Sequence, residues 1–224
     1  FYGSMESVAF SGRIIVQALD QIGEKVRRNF EAKNAARDAT LAASRELIRH
    51  CALAIRATHR AEYDDAARML ARAREIAAQM KAGVSAYPEL YFTGYVQDAL
   101  KELAEAHIVH ALITDATLPD PDVLGVDYAA YLNGLGEAAG ELRRYVLDII
   151  RHDNSERCER ILDAMEDIYA LLVTMDFPDA LTGGLRRTTD MVRGVLERTR
   201  GDLTIAARQE KLEKTLREFE ERFK

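Results

Sequence analysis

Only four prolines and 13 glycines interrupt 224 residues. Tight turns are therefore scarce, and an all-β sandwich, which needs turn signals at short intervals, is excluded. Ala, Leu, Glu and Arg, all strong helix formers, dominate what lies between. Long helical periods follow one another. The first runs from about Val8 to Lys33 and the second, with little or no break, from Ala36 to His59. A third opens at Arg60-Ala61-Glu62-Tyr63 and stops at Lys81-Ala82-Gly83, a basic residue followed by glycine. The fourth restarts at Tyr87-Pro88 and reaches Thr114; a loop spans Thr117 to Asp122. The fifth runs from Pro121 or Val123 to His152, and Asp153-Asn154-Ser155 caps a sixth that reaches Met175. After a break at Asp176-Phe177-Pro178-Asp179, a seventh ends at Arg200, and Gly201-Asp202 precedes a last segment to Phe223. No strand pattern, internal repeat or low-complexity linker competes. The pattern predicts one all-α domain over 6–224, an elongated bundle of seven or eight long antiparallel helices. Residues 1–5, Phe1-Tyr2-Gly3-Ser4-Met5, look like a cloning scar ahead of a native Met.

With 48% hydrophobic and 30% charged residues, wholesale disorder is excluded. The net charge of −6 argues against a uniformly basic nucleic-acid-coating domain, yet 24 of the 31 basic residues are Arg, which suits bidentate phosphate contacts and interface ion pairs. Two cysteines, Cys51 and Cys158, allow neither a disulfide framework nor a zinc spacing, and fit a reducing cytoplasm. No apolar run is long enough for a membrane span, and no signal peptide is visible. In the last segment Ile205, Leu212, Leu216, Phe219 and Phe223 form a narrow apolar stripe, expected to pack within the bundle or against a neighbour.

At 100° per residue, Leu47, Ile48, Cys51, Ala54, Ile55 and Thr58 share one side of the second segment. Arg45, Arg49, Arg56 and Arg60 lie opposite with His59 beside them. Such a stripe either pairs with acids of other helices or tracks a phosphate backbone. In the fourth segment Glu102 and Glu105 share a face where the helix turns apolar all round, from Ala106 to Ile113. Carboxylates entering a buried region need a partner, an Arg or a divalent cation. Glu137 and Glu141 lie one turn apart in the fifth segment, opposite a stripe of Tyr128, Leu132, Leu135, Leu142, Val146 and Ile149. Gly134, Gly136 and Gly140 in the same helix cost about 1 kcal/mol each relative to Ala, and make sense where a backbone or ligand approaches closely. His107 and His110 do not complete the Glu-x-x-His pairs of a di-iron bundle and suit packing networks. Gly183-Gly184 is a turn signal, not a phosphate loop.

In order and spacing these segments resemble the translin and translin-associated factor X family. The resemblance covers about Arg37 to Arg200. It runs through Ala36-Arg37-Asp38-Ala39-Thr40, Ser44-Arg45, His59-Arg60 and Glu102-Leu103-Ala104-Glu105-Ala106. It is clearest at Tyr131-Leu132-Asn133-Gly134-Leu135 and Gly140-Glu141-Leu142-Arg143-Arg144. It implies a hollow homo-oligomeric shell, typically an octamer, enclosing nucleic acid. It further implies a Mg²⁺- or Mn²⁺-dependent endoribonuclease acting on single-stranded RNA. The family's Glu-x-x-Glu pair matches Glu102 and Glu105. Its Asp-x-x-Gly-Glu matches Glu137-Ala138-Ala139-Gly140-Glu141, with Glu137 one methylene longer than the family's Asp. These four would be the catalytic metal ligands, and Arg45, Arg49, Arg56, His59 and Arg60 would bind RNA. The basic stretch by which translin contacts nucleic acid has no counterpart; the comparable region reads Tyr91-Phe92-Thr93-Gly94-Tyr95-Val96-Gln97. The alternative is a non-catalytic shell that binds single-stranded RNA or DNA.

Overall fold

A computed structural model describes residues 5–152 and 155–222. Six long helices carry the fold: α1 (Met5–His59), α2 (Tyr63–Gly83), α4 (Gly94–Thr114), α6 (Tyr128–Ile149), α7 (Ser155–Val173) and α9 (Leu185–Arg222). Single turns α3 (Pro88–Tyr91), α5 (Pro121–Leu124) and α8 (Asp179–Thr182) punctuate them, and a 3₁₀ turn, Ile150–His152, extends α6. Among the described residues there is no strand. The all-α expectation stands.

Among the described residues the long helices number six rather than seven or eight: the first two segments are continuous, as their junction allowed, and the expected break at Gly201 is absent. The first and second segments fuse into α1, and the seventh and eighth fuse into α9 straight through Gly201. Glycine in a helix interior costs only about 1 kcal/mol. Buried Leu196, Thr199 and Leu203 on both sides of Gly201 outweigh that cost. The fifth segment begins later than expected. Pro121 starts α5, Gly125 (φ +63°) ends it, and the Asp127 carboxylate accepts from Ala129 N to cap α6 at Tyr128. Tyr128 itself is exposed and donates to Asp122 rather than joining the core stripe. The expected cap at Asp153-Asn154 lies outside the described residues, as does Phe223.

The helices pack in sequence. α1 lies on α2 and α4, α4 on α6, and α6 on both α7 and α9, which also contact each other. Leu47, Cys51 and Ala54 of α1 meet Leu100, Leu103 and Ile108 of α4, and Leu142, Met165, Leu172 and Val192 continue the core beyond. Truncating such a Leu to Ala costs about 2–5 kcal/mol. The glycines of α6 serve different neighbours. A Cβ on Gly134 would stand 2.6 Å from the Lys101 carbonyl oxygen, so its absence lets the α4 backbone close in. Gly136 makes room for Thr188 of α9, and Gly140 faces open space.

Helix ends fix the remaining geometry. α1 closes in a Schellman motif: Glu62 N donates to Ala57 O and Ala61 N to Thr58 O, with Ala61 left-handed at φ +57°. α4 ends on left-handed Asp115, whose carboxylate accepts from buried Arg157 Nη1 at 2.8 and 2.6 Å. Arg157 Nη2 also donates to the Ile113 carbonyl, so α7 caps the C-terminus of α4. Two stretches project from this core. Val16, Leu19, Ile22, Val26 and Phe30 on α1, and Ile205, Leu212, Leu216 and Phe219 on α9, are exposed. Ile205, Leu212 and Leu216 of the α9 stripe therefore lie outside the core of the single chain. Among the described residues no helix is long and apolar enough to cross a membrane.

Candidate metal centre

Where α4 crosses α6, the clearance at Gly134 brings their acidic faces together. Carboxylate oxygens of Glu102, Glu105 and Glu137 lie within 4.8 Å of one another. They line a cleft of about 450 Å³ with Glu141 and Arg144 of α6, Ala52, Ile55 and Arg56 of α1, and Met191 of α9. Three of the four acids singled out in the sequence thus converge. The fourth, Glu141, shares the cleft but is held aside: His59 Nε2 donates to its Oε2 at 2.7 Å, and Arg144 Nη1 stands 3.9 Å away.

The two helices treat their carboxylates differently. Glu105 is 8% exposed. Burial, then the charges of Glu102, Glu137 and Glu141, push its pKa from 4.5 up to about 8, Lys101 opposing. Glu102 is raised as well, mainly by burial. No arginine pairs with either among the described residues. On α6, Glu137 Oε1 accepts from Lys101 Nζ of α4 at 2.7 Å, and the hydrogen bond from His59 of α1 holds Glu141 below the usual carboxylate range. Burial would depress Lys101, but Glu137, Glu102 and Asp98 outweigh it and raise its pKa.

A divalent cation fits this donor set. Three oxygen ligands at close quarters, one nearly buried and short of compensation, match the preference of Mg²⁺ and Mn²⁺ for carboxylates. Cys51, buried beneath Glu102 and Glu105, does not compete. Burial, then the charges of those two acids, raise its pKa and keep it a thiol, which is no metal ligand.

The arginine stripe divides. Arg45 and Arg49 are exposed and have no ion pair among the described residues. Arg56 is exposed at the cleft rim, its Nε donating to Ala52 O. Arg60 is engaged with the Glu62 carboxylate at 3.0 and 2.8 Å. His59 is not on the exposed stripe. Its side chain is 8% exposed, it serves Glu141, and its Nδ1 is buried without a hydrogen-bond partner. His107 and His110 bond to Leu103 O and to Thr58 Oγ1, the network role expected of them. Lys101 and Met191 are site residues that sequence reasoning missed. Lys101 precedes Glu102 directly, but nothing in one helix's periodicity reports a partner on another.

No protein-family model matches the chain. An uncharacterized protein of Methanocaldococcus jannaschii is 32% identical over 209 residues, 92% of this chain and 91% of that protein. Among solved structures, AfC3PO in complex with duplex RNA matches with a TM-score of 0.76 at 37% identity, over 82% of this chain and 95% of that one. A crystal structure of AfC3PO matches with the same TM-score and identity, over 82% of this chain and 96% of that one. Apo-NeC3PO matches in fold, with a TM-score of 0.70 at 23% identity, over 84% of this chain and 96% of that one. The acid pairs in register, the shared helical bundle and these likenesses lead to one assignment: the chain belongs to the translin/C3PO family.

Proposed function

We propose that this protein is a Mg²⁺- or Mn²⁺-dependent endoribonuclease that cleaves single-stranded RNA inside a homo-oligomeric, octameric shell in the cytoplasm. The observation that carries this reading is the convergence of Glu102, Glu105 and Glu137 within 4.8 Å in an open cleft. These three residues would hold the metal. When bound, it would acidify a water and offset charge building on the phosphate. Glu141, kept ionised by His59 and lining the same cleft, would orient a water and accept its proton. Arg56 and Arg144 at the rim would hold the scissile phosphate, and Arg45 and Arg49 would carry the strand along α1. Arg60 joins them only by releasing Glu62. AfC3PO with duplex RNA supports RNA as the ligand class.

The test is cleavage of end-labelled RNA, single-stranded and duplex, by the full chain with Mg²⁺, Mn²⁺ or EDTA. Glu137→Ala and Glu141→Ala are run alongside, and light scattering reads the oligomer. The expected result is metal-dependent cleavage of the single strand that falls by at least about a hundredfold in both variants. Retention of RNA without cleavage, unchanged in the variants, would replace this reading with a non-catalytic binding shell.

A further inference from the structure

A second depression, of about 850 Å³, runs off the acid cleft, and the two share Glu137 and Met191 as a common wall. Its floor is α6; one side is the α3–α4 corner and the start of α4, the other α8 and the start of α9. Two large apolar side chains in it are strongly exposed, Phe92 at 68% and Leu181 at 69%. The Phe92 ring stands nearly perpendicular to Tyr91, 5.0 Å between centroids at 88°, and makes no other ring contact among the described residues. Arg187 lines the groove and has no ion pair among the described residues. Lys101 stands at the junction with the acids.

The carboxamides of this groove are largely engaged in the walls. Asn133 Nδ2 donates to Ala129 O and Thr182 O, both at 2.8 Å, and its Oδ1 accepts from Thr188 at 2.7 Å. Gln97 Nε2 donates to Tyr91 O at 2.8 Å. These bonds brace the walls and occupy both N–H groups of Asn133, while Gln97 keeps one. Asp98 and Asp127 lie at the margins of the groove, and between them stands an apolar, aromatic surface with Arg187, on which stacking is tolerant of base identity. That combination suits a ligand with a flat π-face and a single anionic group, opening directly onto three carboxylates.

We infer that this groove is a subsite for the nucleotide adjoining the scissile phosphate. Its base stacks on Phe92 against Leu181, its phosphate is held by Arg187, and it is taken with little regard to base identity. The inference deepens the nuclease reading and rests on it for the position of the cut.

The test is binding as well as turnover. Fluorescence anisotropy of labelled 12-nucleotide homopolymers of U, A and C is measured on the full chain with Ca²⁺ across a salt series, and cleavage is followed separately with Mn²⁺. Phe92→Ala is expected to weaken binding of each homopolymer about tenfold, the size of one lost base stack. It raises KM alike, and Phe92→Tyr restores both. Arg187→Ala is expected to lower the salt slope by about one. Both side chains are exposed, so thermal melts should match wild type. If wild type cleaves while Phe92→Ala binds within twofold of it, the groove is not a subsite and the nuclease reading stands alone. A Phe92→Ala defect confined to one homopolymer overturns base-independent recognition. If wild type binds without cleaving and Phe92→Ala still weakens binding tenfold, the nuclease reading falls and the nucleotide subsite stands. If wild type binds no RNA, both fall.

Discussion

Glu102/Glu105 on α4 and Glu137/Glu141 on α6 are alike in composition and differ in company. The α6 carboxylates each have a basic partner, Lys101 and His59, and sit nearer solvent. The α4 pair lies deeper and forms no ion pair among the described residues, Lys101 opposing only through space, and both carboxyls are displaced upward. A site whose outer acids are compensated and whose inner acids are not is one in which an added cation has most to gain at the inner pair. That contrast can be attacked by experiment.

The largest effect should be on the pH dependence of metal-free stability. Because Glu105 has a folded pKa near 8 against an ordinary 4.5, the folded chain holds its proton more tightly than the unfolded one. Its contribution favours folding below about pH 4.5 and is lost as pH rises through about 8, at about 1.4 kcal/mol per unit of separation. Glu141 is displaced downward, so its contribution has the opposite sense: present above the ordinary carboxylate value and lost as pH falls through its folded value. Urea melts from about pH 2.5 to 9 in EDTA should show Glu105→Gln flattening the fall between about pH 4.5 and 8, and Glu141→Gln flattening the fall below about pH 4.5. Equal behaviour of the two variants would erase the contrast.

A smaller effect concerns how the pairs are brought together. Gly134→Ala places a methyl 2.6 Å from the Lys101 carbonyl and should cost about 1–3 kcal/mol, with cleavage falling further as α4 and α6 separate. Gly140→Ala, in open space on the same helix, should instead stabilise by up to about 1 kcal/mol. Thermal melts of the two variants measure this directly. The smallest effect lies at the end of α1 that presents His59. Ala61 is left-handed, so Ala61→Gly should stabilise by about 0.5–1 kcal/mol without altering the site.

Much of this was legible in the sequence. Helical period placed Leu47, Cys51 and Ala54 in the core and the acids at matching turns of two helices, and the run from Ala106 to Ile113 announced burial. What periodicity could not report was the relation between helices. The convergence of Glu137 on the α4 pair depends on the missing Cβ of Gly134, and the glycine signalled a close approach without saying to what. His59 read as a neighbour of the arginine stripe because it lies beside it on the helical wheel. Its actual partner is 82 residues away. Lys101 went unnoticed for the same reason. The break expected at Gly201 failed because local signals compete with the continuity of long helices. A lone glycine is a weak stop when buried residues on both sides hold the helix.

Among the described residues, the last turns of α1 lie in the core and terminate in the Schellman motif at Ala61, while the side chains at Val16, Leu19, Ile22, Val26 and Phe30 are exposed and Lys33 pairs with Glu89 of α3. Rotational phase at the cleft is set by the buried turns from Leu47 to His59, and a residue added or removed among them would turn the side chains on its two sides by about 100° relative to each other, parting Arg56 and His59 from Leu47 and Cys51. The same insertion among residues 16–30 would leave those turns where they are and change the reach of the exposed stretch by about 1.5 Å per residue. The chemistry of this protein and its outer dimensions are thus adjustable independently, along a single helix.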